Sequence, residues 1–301
     1  MMDKNFEVII IGGSYAGLSA ALSLGRSLRK TLVIDAGQAC NRQTPSSHNF
    51  LTQDGSPPAE IAAIAKNQLT KYDSLHFYNG LALSAQKNKS GFDVKTENGE
   101  FFTAKKLVLA HGLKDIMPKI DGFAATWGIS LIHCPYCHGY EVRNKKTAII
   151  ANGQRAFHLA ALVNNLSADI KVLTNGPRNL NEQQVIQLSK QNIPIVEKEI
   201  VAVEQQNGQI QSILFADGSS EKFDCAYTSI PVQQSSTIAS DLGCVLTDDG
   251  LIEVDQMQKT TIKGVFACGD NSSRMRSVAT AVYTGSICGA MINNELTLEN
   301  F

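Results

Sequence analysis

The segment His133-Cys134-Pro135-Tyr136-Cys137-His138-Gly139-Tyr140-Glu141 carries the most reactive chemistry of the chain. Two cysteines three positions apart can close a small disulfide ring, and a histidine flanks each one. The thiolate is the species that attacks disulfides or flavins, and a neighbouring imidazole can take the thiol proton near neutral pH. Pro135 stiffens the turn between the cysteines and removes one backbone donor. Half of a zinc site and a pair of buried thiols are the alternatives. Zinc wants a second ligand pair at fixed spacing, and no other C-x-x-C occurs here. Redox chemistry at Cys134 and Cys137 is therefore the expectation. His133 and His138 are candidate proton carriers, although either can also serve as a packing residue of the loop.

Several elements must position these groups. Glu7-Val8-Ile9-Ile10-Ile11 reads as a buried parallel strand, apolar and rich in β-branched residues. Gly12-Gly13-Ser14-Tyr15-Ala16-Gly17 follows, then a helix predicted over 18–28 and a strand Thr31-Leu32-Val33-Ile34-Asp35 that ends in an acid. This is a β-α-β unit with a glycine-rich first turn. Turn glycines let phosphate oxygens approach the backbone, and the helix N-terminus stabilises their charge. The acid would accept hydrogen bonds from a ribose. Ser14 stands where G-x-G-x-x-G has its second glycine, so this motif alone also fits a purely structural unit.

Residues 40–58 are rich in Ser, Thr, Pro, Asn, Gln and Gly and read as a loop over a ligand within the nucleotide-binding half. A helix is predicted over 59–72, and a hairpin over 92–104 around Asn98-Gly99. Residues 106–112 read as a further buried strand ending in a tight turn. Met117-Pro118-Lys119-Ile120-Asp121-Gly122 reads as a connection between domains. A strand at 146–150, a helix over 157–166 and a strand at 170–173 repeat the first unit in degenerate form. Ser229-Ile230-Pro231 offers the return connection. Gly264-Val265-Phe266-Ala267-Cys268-Gly269-Asp270 and a helix over 277–292 close the chain.

The 301 residues are 43% hydrophobic and 18% charged, with a net charge of -1. This length suffices for two domains with a substantial core, and the composition argues against disorder, a nucleic-acid surface or a polybasic membrane patch. Seven cysteines, an odd count without secreted-scaffold spacing, fit a reducing cytoplasm. The start Met1-Met2-Asp3-Lys4-Asn5-Phe6 has no signal-peptide h-region or cleavage site, and no later apolar run can span a bilayer. The expectation is a cytoplasmic protein without nucleic-acid or membrane partners.

The order of GGSYAG, C-P-Y-C and GVFACGD along the chain resembles the low-molecular-weight thioredoxin reductase group of flavoproteins, over nearly the whole length. The resemblance implies an α/β fold of two Rossmann-like, three-layer domains, the second inserted into the FAD-binding domain. Residues 1–116 and 232–301 would form the FAD domain, and 117–231 a nicotinamide-type domain carrying the redox disulfide. It implies Gly12, Gly13, Ser14 and Gly17 at the FAD pyrophosphate and Asp35 at the adenosine ribose. It also implies Asn49 near the flavin ring, Gly269 and Asp270 at the ribityl chain, and Ser277 and Val278 under the flavin's pyrimidine edge. Cys137 would face the flavin, Cys134 would attack the external partner, and the protein would be a homodimer.

Two departures from that pattern bear on function. NADPH-using members carry G-x-G-x-x-A and a His-Arg-Arg cluster, where this chain has Ala151-Asn152-Gly153-Gln154-Arg155-Ala156 and Thr174-Asn175-Gly176. The guanidinium pair that would hold a 2′-phosphate is absent, so NADPH is not expected as a cofactor. His138 also stands where those reductases have an aspartate after the second cysteine. A histidine can accept a proton from an incoming dithiol and return it. This is similar to the dithiol oxidases that close the disulfides of gliotoxin- and holomycin-type metabolites.

The expected activity is FAD-dependent exchange of electron pairs with the Cys134–Cys137 couple, the partner being a small dithiol or a thioredoxin-like protein. Three routes are open: a dithiol oxidase passing electrons to O2 or another acceptor, a reductase fed by a non-nicotinamide donor such as ferredoxin, and an NAD(P)H-dependent thioredoxin reductase with an altered pocket. A non-catalytic flavin-binding redox sensor is the more distant alternative. No metal site is expected. Cys225, Cys244, Cys268 and Cys288 read as small buried hydrophobes, and Cys40 as a loop cysteine. His48 and His111 are expected near the flavin, chiefly as structural residues.

Overall fold

The computed structural model describes residues 4–301; Met1–Asp3, part of the start read above for targeting signals, lie outside the described residues. The chain opens with β1 (Asn5–Ile11), α1 (Tyr15–Arg26), β2 (Thr31–Asp35), α2 (Pro58–Leu69), β3 (Leu75–Asn79), β4 (Ala82–Lys87), β5 (Phe92–Thr96), β6 (Phe101–Leu109) and β7 (Leu113–Asp115). It continues with α3 (Phe123–Thr126), β8 (Leu131–Ile132), α4 (Pro135–His138), β9 (Thr147–Ile150), α5 (Gly153–Val163), β10 (Ile170–Leu173), α6 (Glu182–Lys190) and β11 (Ile195–Val196). Then come β12 (Ile200–Gln206), β13 (Gln209–Phe215), β14 (Ser220–Lys222), β15 (Cys225–Thr228) and β16 (Val232–Gln234). The chain ends with α7 (Ile238–Asp241), β17 (Val265–Ala267), a 3-10 turn at Asp270–Ser272 and α8 (Val278–Asn300).

These elements form two compact units. One joins the described residues up to Arg42 with Pro58–Lys114 and Val232–Phe301; the other joins Gln43–Pro57 and Asp115–Pro231. Gln43–Pro57, read from the sequence as a loop of the nucleotide-binding half, thus clusters with the second unit. Local composition marks a loop correctly, but it carries no information about which distant residues the loop will touch.

The first unit is built on a sheet of order β3-β2-β1-β6-β5-β4, with β17 also beside β6. β1 is parallel to β2 and β6, and Val8, Ile9, Ile10 and Ile11 are all buried because both sheet faces are covered. Val8 and Ile10 pack with α1 and α8, whereas Ile9 and Ile11 pack with β4, β5 and α7. The hairpin arm and the strand read separately from the sequence are one element, β6. Its Phe101–Ala104 part pairs antiparallel with β5, while its Leu107–Leu109 part pairs parallel with β17.

Small residues bring α8 close to α1. A Cβ on Gly285 would lie 2.2 Å from the Ala16 carbonyl oxygen, and one on Gly289 would lie 2.5 Å from that of Ala20. Ser19 Oγ donates to the Val282 carbonyl at 2.7 Å across the same contact. α8 also runs past the predicted end at residue 292 to Asn300. The reason is a buried cation: Lys106 of β6, 3% exposed, donates to Glu295 at 2.9 Å and Glu299 at 2.5 Å on the last turns of α8. A buried ammonium needs such partners.

The second unit holds a parallel sheet of order β11-β10-β9-β15-β8 and a three-stranded antiparallel sheet, β12-β13-β14. Ile149 of β9 packs toward α5, and Ala148 and Ile150 pack toward β12 and β13. Both units are therefore layered α/β structures with parallel sheets, and the second repeats the β-α-β order of the first. Among the described residues, no helix is long and apolar enough to cross a membrane.

Candidate active site

In the first unit, the β1–α1 turn is shaped by backbone contact. Gly12 has φ +109°, and a Cβ there would fall 2.3 Å from the Ala110 carbonyl oxygen at the end of β6. A Cβ on Gly17 would fall 1.9 Å from the Gly12 carbonyl oxygen. Ser14, which breaks the glycine pattern, has φ -91°, a value open to any residue. The serine is accommodated because that position makes no demand on handedness. Its side chain does not cap α1, and the first turn of α1 holds no acid, so the turn's N–H groups face no competing carboxylate from the helix itself.

Gly13 N–H donates to Asp35 Oδ1 at 3.2 Å, which ties the turn to the acid at the end of β2. Glycines that only a Cβ-free backbone allows, an uncapped helix start and an acid at the next strand fit a pyrophosphate and a ribose. The residues present thus suit FAD. Gly269, with φ +86°, leads into the 3-10 turn, and a Cβ on it would lie 2.9 Å from that of Ala16. Arg276 Nε donates to Asp270 Oδ2 at 3.3 Å, and Cys40 Sγ lies 3.9 Å from the same oxygen. Ser277 caps α8 by accepting from the Thr280 N–H at 3.1 Å, and Val278 is the first helical residue. His111 Nδ1 lies 3.1 Å from the Gly112 carbonyl oxygen and 3.3 Å from Ser235 Oγ. Burial pulls its pKa down to about 4, and the carbonyl opposes that shift, so its imidazole is neutral at ordinary pH.

The second unit carries the redox pair. Cys134 and Cys137 form a disulfide with Cα atoms 5.3 Å apart. Cys134 precedes the single turn α4 in extended backbone, Pro135 occupies its first position, and Cys137 N–H donates to the Cys134 carbonyl at 3.2 Å. Pro135 suits that position because its fixed φ is helical and its missing donor is not needed. The closed ring offers no thiolate pair to a metal ion. Tyr136 and Tyr140 stand 65% and 68% exposed, and the Arg143 guanidinium lies 3.9 Å from the Tyr140 ring centroid.

The two flanking histidines have different surroundings. His133 is exposed, and its ring lies against Trp127 with centroids 5.7 Å apart, while Trp127 Nε1 donates to Asp115 Oδ2 at 3.1 Å. His138 is half-buried and meets His48 edge-to-face, with ring centroids 5.9 Å apart. His48 Nδ1 lies 3.6 Å from Glu141 Oε1 and 3.7 Å from Asp54 Oδ1. Burial first, then the charge on His48, hold His138 below the usual histidine range, against the pull of the Glu141 carboxylate. Asn49 belongs to the same 43–57 segment as His48; it is exposed, with φ +58°, and its N–H donates to Asp54 Oδ1 at 2.7 Å. The sequence pointed to His138 but not to its pairing with His48, which depends on a contact between segments far apart in the chain.

The degenerate second β-α-β turn is filled by one side chain. Asn152 Oδ1 accepts from the Gly153 N–H at 2.8 Å and the Asn179 N–H at 2.7 Å. Its Nδ2 donates to the Pro177 carbonyl at 2.9 Å and the Thr174 carbonyl at 3.3 Å. Asn175 Oδ1 accepts from the Ile200 N–H at 2.7 Å. Arg178, the nearest guanidinium in sequence to the missing cluster, is paired with Glu197 at 2.9 Å. The turn after β9 is thereby stitched to the loop after β10.

Residues 6–285 match the family described as pyridine nucleotide-disulphide oxidoreductase. The chain belongs to this family. It is similar to the thioredoxin reductase tcpT of Claviceps purpurea, at 33% identity over 97% of this chain and 95% of that one. It is also similar to the thioredoxin reductase sirT of Leptosphaeria maculans, at 30% identity over 96% and 93% of the two chains. Among solved structures, an oxidoreductase from Agrobacterium tumefaciens is 36% identical, with a TM-score of 0.92 over 98% of this chain and 99% of that one. As a member of this family the protein is an FAD-dependent disulfide oxidoreductase of the thioredoxin reductase type.

Proposed function

We propose that this family member is a dithiol oxidase that draws no electrons from a nicotinamide nucleotide. The observation that carries this reading is Asn152. Its four hydrogen bonds use the N–H of Gly153 at the start of α5 and join the two loops at the carboxyl ends of β9 and β10. In a nucleotide-binding Rossmann unit those ends form the crevice for the pyrophosphate and the ribose. Without the arginine pair a 2′-phosphate loses its usual charge-assisted clamp: Arg155 and Arg178 stand off the matching position, and Arg178 is paired with Glu197.

The residues of the second unit then supply the chemistry. A substrate thiol gives its proton to neutral His138 and attacks Cys134 Sγ as a thiolate. The Cys134–Cys137 bond breaks, and its electron pair leaves on the Cys137 sulfur. The second substrate sulfur attacks the first, closes the substrate disulfide and releases Cys134 as a thiolate that takes the second proton. When bound, FAD supplies the two-electron acceptor for the reduced pair and an outlet to O2 or another acceptor. Gly12, Gly13, Ser14, Gly17 and Asp35 would hold its pyrophosphate and adenosine ribose, with Gly269, Asp270, Ser277 and Val278 along the flavin end and Asn49 near the ring. His133 would assist at the rim.

In the same reading, residues 1–116 and 232–301 are the FAD-binding domain and 117–231 a nicotinamide-type domain now serving as the carrier of the disulfide. Cysteine usage adds a cytoplasmic location, and the family resemblance adds a homodimer and a small dithiol or thioredoxin-like protein as partner.

Nucleotide binding tests this. Calorimetric titration of the holoenzyme with NADPH and with NADH is expected to give dissociation constants weaker than about 1 mM. A constant in the micromolar range would return the protein to the nicotinamide-driven reductases.

A further inference from the structure

His138 cannot be understood without the loop that faces it. Gln43–Pro57 clusters with the disulfide-bearing unit and is closed at its base by the Ser47 N–H donating to the Ser56 carbonyl at 2.8 Å. This places His48 against the His138 ring at 90°. Two carboxylates from different segments flank its Nδ1: Asp54 from its own loop, and Glu141 from the stretch that follows α4. Glu141 also acts on Tyr227 of β15, whose phenol is pushed up by burial first and then by the neighbouring Cys225 and Glu141. His48 therefore stands between an acid pair and the imidazole that must receive a thiol proton.

We propose that His48 is a positioning residue of the redox centre, holding the His138 ring edge-on to receive the proton of the thiol that opens the Cys134–Cys137 bond. This rests on His138 acting as the base in the reading above. A cation beside a second imidazole disfavours a second positive charge, and it does so more strongly where burial has removed water. Asp54 and Glu141 bracket the Nδ1 edge of His48 and so fix its ring against His138. The sign follows directly. With His48 in place, His138 stays unprotonated, and hence able to accept a proton, to lower pH than an ordinary histidine. With a neutral residue at position 48, His138 protonates at higher pH and the acid limb of the reaction moves up.

Dithiothreitol is the probe. One of its thiols gives a proton to His138, and its sulfur bonds Cys134 while the Cys134–Cys137 bond breaks onto Cys137. Its second sulfur then attacks the first, closing the cyclic disulfide, and its proton goes to the Cys134 thiolate that leaves. The rate of this reduction, read anaerobically across pH in holoenzyme, is compared for the wild type, His48→Gln and His48→Phe; the phenylalanine keeps a ring against His138 without the charge. Both variants are expected to lose several-fold in rate near about pH 5.5 and to match the wild type near about pH 8. Proton NMR titration of the His138 ring, identified with His138→Gln, should show the same upward move in both.

An acid limb and a His138 titration that stay at their wild-type positions in both variants would overturn the proposal, even if binding of the probe weakened. The two readings fail separately. Dithiothreitol opens the disulfide whatever the natural donor is, and tight NADPH binding would remove the oxidase reading without moving the His138 titration.

Discussion

Cys137→Ser is expected to abolish coupling between an added dithiol and the flavin while leaving the protein folded and yellow. A serine oxygen cannot form the disulfide that stores the electron pair, so attack at position 134 leads to no bond that can be broken. The side chain removed is only partly buried and lies on a one-turn helix of the second unit, outside the glycine turn that would hold FAD. Flavin content and thermal stability should therefore stay close to those of the wild type. Dithiol-dependent bleaching of the flavin absorbance should fall by roughly 10³-fold or more, the scale seen when a covalent catalyst is removed. Stopped-flow absorbance under anaerobic conditions reads this directly. Bleaching at anything near the wild-type rate would mean that electrons reach the flavin by a path that avoids the disulfide.

Gly17→Ala is expected to have the second large effect, on cofactor retention and stability together. Two terms oppose each other. Alanine is the better helix former by about 1 kcal/mol, and position 17 lies in the first turns of α1. Against that gain, the added methyl would sit 1.9 Å from the Gly12 carbonyl oxygen and 3.2 Å from Ile10 Cγ2. The first of these neighbours is backbone and has no rotamer to escape into, so α1 must lift away from the turn. Overpacking of this kind costs about 1–3 kcal/mol or more, which outweighs the propensity gain. The shift also pulls the helix start away from the place a pyrophosphate would occupy. Thermal unfolding should move to lower temperature, and the purified variant should carry much less flavin. A variant with normal flavin content and an unchanged midpoint would show that the turn does not hold the cofactor in the manner described.

The parts of this fold legible in the sequence are those whose cause is local. β1 and the glycine turn declare themselves through an apolar run and residues that only a tight turn needs. β10 begins and ends where its apolar pattern does, at Ile170 and Leu173. Where the reading fell short, the cause acts over long range. The end of α8 is polar and looks like a tail, yet it is helical because buried Lys106 of β6 requires Glu295 and Glu299. β6 reads as two strands in the sequence, a hairpin arm and a buried run, and in the fold its two halves are one strand with different neighbours, one antiparallel and one parallel.

The site shows the same division. The Cys134–Cys137 pair and His138 stand in one short segment, and their chemistry is visible in the residue types. His48 sits in a serine- and proline-rich loop that looks like a cover for a ligand, and nothing in its own segment reports Glu141 or His138. At the second β-α-β turn, the loss of a glycine to Ala151 was visible. That Asn152 fills the turn with four hydrogen bonds was not, because its partners at 174, 177 and 179 follow a full helix and strand later.

One anaerobic experiment decides whether a nicotinamide nucleotide or a dithiol reduces this flavin. NADPH and then NADH are added to the purified yellow protein, followed by a dithiol and finally by air, with the flavin absorbance followed throughout. Neither nucleotide is expected to change the spectrum, whereas the dithiol should bleach it and air should restore the oxidised form. Rapid bleaching by NADPH would instead show that electrons enter through a nicotinamide site despite the hydrogen bonds made by Asn152.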